Sequence, residues 1–378
     1  MKTEKKKILF LIESLSGGGA EKVLTTLLKF LDKEKFCVVL CSVADCGVYV
    51  QECKKYVDYY APIIKRSDTF LGKIKYKIIY DWIPTSWIYK MYIPQECDIE
   101  VSFCEGFATK ILSYSTNKKS KKIAWVHTDL ESNHWTKKVY RNDKQEETAY
   151  NNYDQIISVS ERVKESLEKI YRLHVPVKTL YNPIDLDDIV NKSKEIVDDV
   201  EIKEGVLRMV TVGRLERQKG YVRLLNIINR LIREGINNIN LWIVGEGSER
   251  DCLEALIDKN NLHDYIKLLG FKSNPYKYIA MGDIFVCSSI AEGYSTAVTE
   301  ALILGIPVVT TDCSGMDELL CVDKCGLITD NSEQDLYDGL KAVILDPSVL
   351  LNYRNNIEIR KKDFNTGKLV SEIERYFL

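Results

Sequence analysis

Residues 281–305 read Met-Gly-Asp-Ile-Phe-Val-Cys-Ser-Ser-Ile-Ala-Glu-Gly-Tyr-Ser-Thr-Ala-Val-Thr-Glu-Ala-Leu-Ile-Leu-Gly, and the rest of the chain is organised around them. The apolar run 284–287 is short enough for a buried parallel strand, and 288–294 is a small-residue turn containing Gly293. A helix follows. Ser295 or Thr296 can cap it, Ala297, Ala301 and Leu304 fall at helical spacing, and Gly305 with Pro307 ends it before the next strand, 308–311. Glu292 then sits at the carboxyl end of a strand and Glu300 about one turn inside the helix, on the same crevice. Open α/β sheets bind ligands there, with helix N–H groups offered to phosphate. A carboxylate in that place suits sugar hydroxyls, which it accepts from in pairs. Dipole compensation is the other reading of Glu300.

Working outward, the second half alternates strand and helix. Strands are predicted over 208–212, 239–244 and 266–269. The loop Gly213-Arg214-Leu215-Glu216-Arg217-Gln218-Lys219-Gly220 leads into a helix over 221–234, stopped by Gly235, and Ser248-x-x-Asp251 resembles a capping box. Helices are also expected from Ser332, from Pro347 and over 366–378. Leu369, Ile373, Tyr376 and Phe377 give the last one an apolar face that must dock on something. The first half shows the same alternation, with strands expected over 7–13, 36–43, 99–103, 122–126 (delivering His127) and 156–159. After its first strand, Gly17-Gly18-Gly19-Ala20-Glu21 opens a helix, and Lys22 at the third glycine position excludes a dinucleotide fingerprint. What remains is a loop without Cβ atoms that can approach a phosphate or sugar closely, or a plain turn. Asn182-Pro183-Ile184-Asp185 breaks the pattern, and the acidic stretch 187–204 reads as a linker. Alternating strands and helices imply parallel sheets, two in number.

The chain has 378 residues, 45% hydrophobic and 29% charged, a globular composition that fits two domains. It has no apolar run long enough to span a bilayer and no signal-peptide pattern, so a cytoplasmic location is expected. Its 11 cysteines are scattered without a Cys-x-x-Cys pair, which reads as reduced core residues rather than zinc ligands. The net charge of −2 hides an asymmetry: +7 over 1–183 and −9 over the remainder. A basic first half suits an anionic membrane or a phosphate-bearing acceptor, or is simply a solvated lysine surface.

Gly17-Gly18-Gly19-x-Glu21, Trp125-Val126-His127, Asn182-Pro183-Ile184-Asp185, Gly213-Arg214-x4-Lys219-Gly220 and Glu292-x7-Glu300, in this order, resemble the family-4 retaining glycosyltransferases of GT-B fold. The resemblance implies two facing Rossmann-like α/β domains: 1–183 for the acceptor, 184–362 for a nucleotide-sugar donor, and 363–378 as a helix crossing back to the first domain. It implies that Arg214 and Lys219 neutralise the donor diphosphate, where charge accumulates as the glycosidic bond breaks. Glu292 would hold the transferred sugar and Glu300 the ribose. Gly213 and the backbone of Gly293, Tyr294, Ser295 and Thr296 would line the phosphates, His127 would touch the donor sugar, and Gly18 the phosphate. No metal or other cofactor is implied. Asp185-Leu-Asp187 spells the Asp-x-Asp of metal-dependent glycosyltransferases of another fold, but it follows Asn-Pro rather than a strand. The family often carries Pro where this chain has Ser295, a departure that bears on which donor fits. As a loop cation, Lys219 is expected to be dispensable for folding.

The expected activity is transfer of a hexose or N-acetylhexosamine, from UDP, to a lipid-linked surface glycan such as a capsule or exopolysaccharide; no nucleic acid is expected as partner. A nucleotide-sugar epimerase and a non-catalytic glycan-binding subunit are the alternatives on this fold. Segment 65–92 mixes Lys65, Arg66, Lys73, Lys75, Lys77 and Lys90 with Phe70, Tyr76, Tyr80, Trp82, Trp87, Tyr89 and Tyr92. Leu71, Ile74, Ile78 and Trp82 recur at helical spacing, so the segment is expected to lie on the inner membrane leaflet near a polyprenyl-diphosphate acceptor. The other reading is an amphipathic helix packed on the first domain.

Overall fold

The computed structural model describes residues 4–65 and 67–378; Arg66, one of the basic residues of segment 65–92, lies outside the described residues. The chain divides into two compact units, Met1–Ile184 with Thr366–Leu378, and Asp185–Asn365.

In the first unit the strands are β1 (Lys6–Ile12), β2 (Phe36–Ser42), β3 (Tyr59–Tyr60), β4 (Ile99–Ser102), β5 (Lys121–Val126), β6 (Gln155–Ser158) and β7 (Val177–Thr179). They form one sheet in the order β3-β2-β1-β4-β5-β6-β7, and every pairing is parallel. β1 is central because it is apolar on both faces: Ile8, Leu9, Phe10 and Leu11 are fully buried. In the second unit β8 (Leu207–Val212), β9 (Ile239–Val244), β10 (Ile266–Gly270), β11 (Ile284–Cys287), β12 (Val308–Thr311) and β13 (Gly326–Thr329) form a parallel sheet in the order β10-β9-β8-β11-β12-β13. Each sheet therefore reverses its winding once, between β1 and β4 and between β8 and β11. Such a switch point opens a crevice at the carboxyl ends of the two strands.

The last helix, Thr366–Phe377, belongs to the first unit and supplies the partner its apolar face needs. Phe377 meets the rings of Phe10, Phe36 and Trp125 at centroid distances of 5.9, 6.2 and 6.4 Å. The buried Glu374 carboxylate accepts from the Asp32 N–H at 2.7 Å and from Lys35 Nζ at 2.8 Å. Such a helix alone would be marginal in water, and this docking is what holds it.

The structure corrects three readings. The acidic stretch 187–204 is not a free linker. Asp185 caps the helix Leu186–Ser193, accepting from Asp188 N–H at 3.1 Å, and its first-turn acids suit the positive end of the helix dipole. Farther along, Asp199 accepts from Lys272 Nζ at 2.6 Å and from the Tyr278 hydroxyl. The Ser248/Asp251 capping box does not form, because the helix Arg250–Asn260 starts later and Ser248 Oγ donates to Glu216 at 2.9 Å instead. Strands β3, β7 and β13 were not expected. The first two are only two and three residues long, and β13 begins with a glycine that reads as a breaker.

Segment 65–92 forms the helices Phe70–Asp81 and Thr85–Tyr92. Ile79 faces inward, the Tyr76 hydroxyl donates to Glu13 just past β1, and the Tyr80 ring lies 4.5 Å from that of Phe107. The predicted apolar stripe points the other way: Leu71, Ile74, Ile78 and Trp82 are all exposed, as are Phe70, Trp87 and Met91. Among the described residues no helix is long and apolar enough to cross a membrane.

Candidate active site

The two loops at the switch point of the second sheet carry the residues singled out from sequence. After β8, Gly213 and Arg214 lead through a turn at Arg217–Lys219 to Gly220, which holds φ +64° at the start of the helix Tyr221–Arg233. A Cβ at Gly213 would stand 2.8 Å from the Tyr221 hydroxyl and 3.4 Å from Lys219 Cε, so glycine here leaves room for the lysine stem. A Cβ at Gly220 would stand 2.1 Å from the Ser288 carbonyl oxygen. The loop after β8 is thus pressed against the loop after β11, and the two are sewn together. Ser288 Oγ donates to the Lys219 carbonyl at 2.9 Å, and the Ile290 N–H donates to the Gln218 carbonyl at 2.7 Å.

That contact brings Lys219 onto Glu292. Lys219 Nζ lies 2.6 Å from Glu292 Oε1, and Ser289 Oγ donates to the same oxygen at 2.6 Å. Both bonds fall on Oε1, which leaves Oε2 to accept from another group. Burial pushes the Lys219 ammonium down, but the Glu292 carboxylate more than offsets it, so Lys219 is held above the usual lysine range and stays charged. Burial, with the Glu292 charge behind it, raises the Cys287 thiol; this cysteine is a core residue, not a thiolate. Arg214 is exposed, and its guanidinium has no partner among the described residues.

The helix Thr296–Ile303 starts where expected, with Ser295 Oγ accepting from the Val298 N–H at 3.4 Å. Thr296 is its first residue and half-buried, whereas Gly293, Tyr294 and Ser295 are buried beneath the turn. Gly315, at φ +79°, approaches this turn so closely that a Cβ there would stand 2.7 Å from the Gly293 carbonyl oxygen. Glu300 is 3% exposed. It lies inside the helix that this turn opens, eight residues on from Glu292.

Gly18 and His127 lie in the first unit, each at the carboxyl end of a strand. Gly18 is the residue before the helix Gly19–Phe30, and a Cβ on it would meet the Glu21 carboxylate at 2.4 Å. His127 follows β5, stacks at 5.9 Å on Trp125 and lies 4.9 Å from the Phe103 ring. Its backbone N–H donates to Glu105 Oε2 at 2.9 Å, while its ring Nε2, shielded from solvent, has no partner among the described residues. Burial pulls the imidazole down to about 4 against the opposing pull of Glu105, so His127 is neutral at pH 7. Glu105 also accepts from the Trp135 indole N–H at 3.1 Å and is itself buried.

Comparison with known proteins identifies the family. The sequence profile of the glycosyltransferase family 4 matches residues 17–188, and that of the glycosyl transferases group 1 matches residues 192–363. The chain belongs to the family-4 glycosyltransferases. A Campylobacter jejuni relative, an N-acetylgalactosamine-N,N'-diacetylbacillosaminyl-diphospho-undecaprenol 4-alpha-N-acetylgalactosaminyltransferase, is 29% identical over 98% of this chain and 99% of its own. HepE of Anabaena, solved with UDP and glucose, superposes with a TM-score of 0.78 at 19% identity, covering 98% of this chain and 99% of its own. A Rickettsia africae glycosyltransferase superposes with a TM-score of 0.74 at 16% identity, over 99% and 98% of the two chains. Two parallel-sheet Rossmann-like domains with a returning C-terminal helix are the GT-B fold.

Beside the residues singled out from sequence stand others that the sequence reading passed over. Ser289, Gly315 and Glu105 are placed by contacts between segments far apart in the chain, which no local pattern reveals. Glu105 had one signal, a carboxylate three residues past the end of β4 and just before Gly106, which holds φ +88°.

Proposed function

We propose that this glycosyltransferase moves a hexose or N-acetylhexosamine, with retention at the anomeric carbon, from a UDP-sugar to a lipid-linked glycan. The observation that carries the reading is the Lys219–Glu292 pair at the β8/β11 switch point, with Arg214 exposed beside Gly213. As the bond from the anomeric carbon to phosphate breaks, negative charge gathers on the diphosphate. A guanidinium fork and an ammonium kept charged by its carboxylate partner are the groups to offset it. Glu292 Oε2 then accepts from a hydroxyl of the transferred sugar, Glu300 binds the ribose, and the turn Gly293–Thr296 lies along the phosphates. The resemblance assigns Gly18 to phosphate and His127, neutral and with a free Nε2, to the donor sugar. The cationic pair does the work of a divalent ion, and the capping role of Asp185 supplies an alternative use for the Asp-x-Asp.

UDP is favoured because HepE was solved with it. A diphospho-polyprenyl acceptor and N-acetylgalactosamine are favoured because the Campylobacter relative is named for that transfer. Membrane contact through 65–92 is favoured by the outward stripe of the helix Phe70–Asp81, where Phe70, Leu71 and the following Trp82 are 78%, 76% and 80% exposed among Lys73, Lys75 and Lys77. The inward faces of Tyr76, Ile79 and Tyr80 fill the packing role that the other reading gave to the stripe. An inner-leaflet location follows from this reading.

The test is a screen of the purified protein against UDP-N-acetylgalactosamine, UDP-glucose and GDP-mannose, with and without a synthetic polyprenyl-diphosphate disaccharide, in excess EDTA. The reading expects acceptor-dependent UDP release and an α-linked product by NMR. An inverted product, a requirement for added manganese, or conversion of donor to its epimer without acceptor would each refute part of it.

A further inference from the structure

Behind the Lys219–Glu292 pair lies a polar frame. We infer that Arg223, locked to Asn331, is the positioning residue of the donor site: it fixes the carbonyls of Ser288 and Ser289 so that Ser289 and Glu292 present one carboxylate oxygen to Lys219. The inference rests on the donor-site reading above and deepens it.

Arg223 lies four residues after Lys219, in the first turn of the helix Tyr221–Arg233. Its Nε donates to the Ser288 carbonyl at 2.9 Å, one Nη to the Ser289 carbonyl at 2.5 Å and to Thr311 Oγ1 at 3.4 Å, and the other Nη to Asn331 Oδ1 at 2.9 Å. Asn331 Nδ2 in turn donates to the Ile290 carbonyl at 2.9 Å. Three successive carbonyls, 288 to 290, are therefore gripped by one Arg–Asn pair. The Ser289 carbonyl also accepts from Thr311 Oγ1 at 2.6 Å and from Cys313 Sγ at 3.2 Å.

The same Ser289 whose carbonyl is held on one side donates its Oγ to Glu292 Oε1 on the other. The path from Arg223 to the reacting region is thus short: Arg223 to Ser289, Ser289 to Glu292, Glu292 to Lys219. Guanidinium has five N–H donors in a rigid fork, and here four contacts with protein atoms engage all three nitrogens. Arg223 is accordingly no second diphosphate ligand. Half-buried and charged, it replaces its water by backbone oxygens, which a lysine with one point charge could do for only part of the fork.

The variants are Arg223→Met, Arg223→Lys and Asn331→Ala in the full chain, the last keeping the arginine but removing its brace. Two readouts are taken at a temperature well below each Tm: the rate of Lys219 acetylation by an N-hydroxysuccinimide ester, followed by peptide mass spectrometry, and steady-state turnover of UDP-N-acetylgalactosamine. Looser loop geometry should raise Lys219 labelling several-fold in Arg223→Met and less in the other two. It should lower kcat by roughly 10- to 100-fold, the scale of an ångström-sized misplacement, with a smaller change in donor KM. A lower Tm with unchanged Lys219 labelling would reduce Arg223 to a fold-stabilising residue and refute the inference. Raised labelling without any effect on UDP-sugar turnover would keep the positioning role and reject the donor-site reading on which it rests. If Arg223→Met does not fold, Asn331→Ala carries the same two outcomes.

Discussion

Replacing Lys219 with alanine should damage the protein twice, and the two effects can be separated. The first is catalytic. If Lys219 offsets charge on the departing diphosphate, its removal should lower kcat/KM by about 10²–10³, or ~2.7–4 kcal/mol of transition-state stabilisation. The second is structural, and it corrects the expectation of a loop cation indifferent to folding. Lys219 Nζ is 2.6 Å from Glu292 Oε1, with side chains 19% and 11% exposed, so the alanine leaves a mostly buried carboxylate with Ser289 as its remaining donor. Breaking a fully buried pair costs about 3–5 kcal/mol, and partial exposure of both groups brings this to roughly 1–3 kcal/mol. Because Lys219 is held above the ordinary lysine range, its contribution is complete below about pH 10 and is lost only as pH rises through that elevated value; the stability difference should be flat between pH 6 and 10. The double variant Lys219→Met with Glu292→Gln decides between the effects. Neutralising both partners should restore most of the Tm. Turnover should stay low. Recovery of kcat/KM along with Tm, or wild-type kcat/KM in Lys219→Ala itself, would refute the charge-stabilising role.

Glu300→Ala should weaken UDP binding in a calorimetric titration, whereas Glu292→Ala should spare UDP binding and lose sugar-dependent turnover; the opposite pattern exchanges the two roles. His127, pulled down to about 4 by burial, favours the folded state when neutral, so its contribution is full above about pH 6.5 and is lost as pH falls toward 4. The stability difference between wild type and His127→Gln should shrink over that window by at most about 3 kcal/mol, and a pH-independent difference in urea unfolding would rule out a buried neutral imidazole. Changing Lys73, Lys75 and Lys77 to Glu should abolish sedimentation with anionic phosphatidylglycerol vesicles, each lysine being worth about 1 kcal/mol at such a surface, and should leave UDP binding intact. Unchanged sedimentation would remove the helix Phe70–Asp81 from the membrane.

The long strands and the helices after them were legible because each is a run whose period or apolar density is set locally. β1 and β9 are nearly continuous apolar segments, and the helix Tyr221–Arg233 buries Leu224, Leu225, Ile228 and Leu231 at helical spacing. The misses have the same physical basis seen from the other side. β3 and β7 exist because a sheet edge was available to pair with, not because two or three residues prefer to be extended. Acidic composition suggested a linker over 187–204, but acids at a helix start and opposite Lys272 are there for local electrostatics and say little about order.

At the site, sequence could supply residue types but not their pairing. Arg214, Lys219 and Glu292 were each visible as charges beside glycines, and Glu300 as a carboxylate inside the helix that follows. That Lys219 donates to Glu292, 73 residues away in sequence, depends on β8 and β11 being neighbours at the switch point. The same juxtaposition explains why Gly220 is a glycine: its Cβ would collide with the loop that carries Glu292. A motif spacing such as Glu292-x7-Glu300 measures distance along one chain segment, whereas the ion pair is made across two. On the proposed reading the carboxylate that holds the sugar also orients the lysine beside the diphosphate, so loss of Lys219 should loosen the grip on the sugar as well.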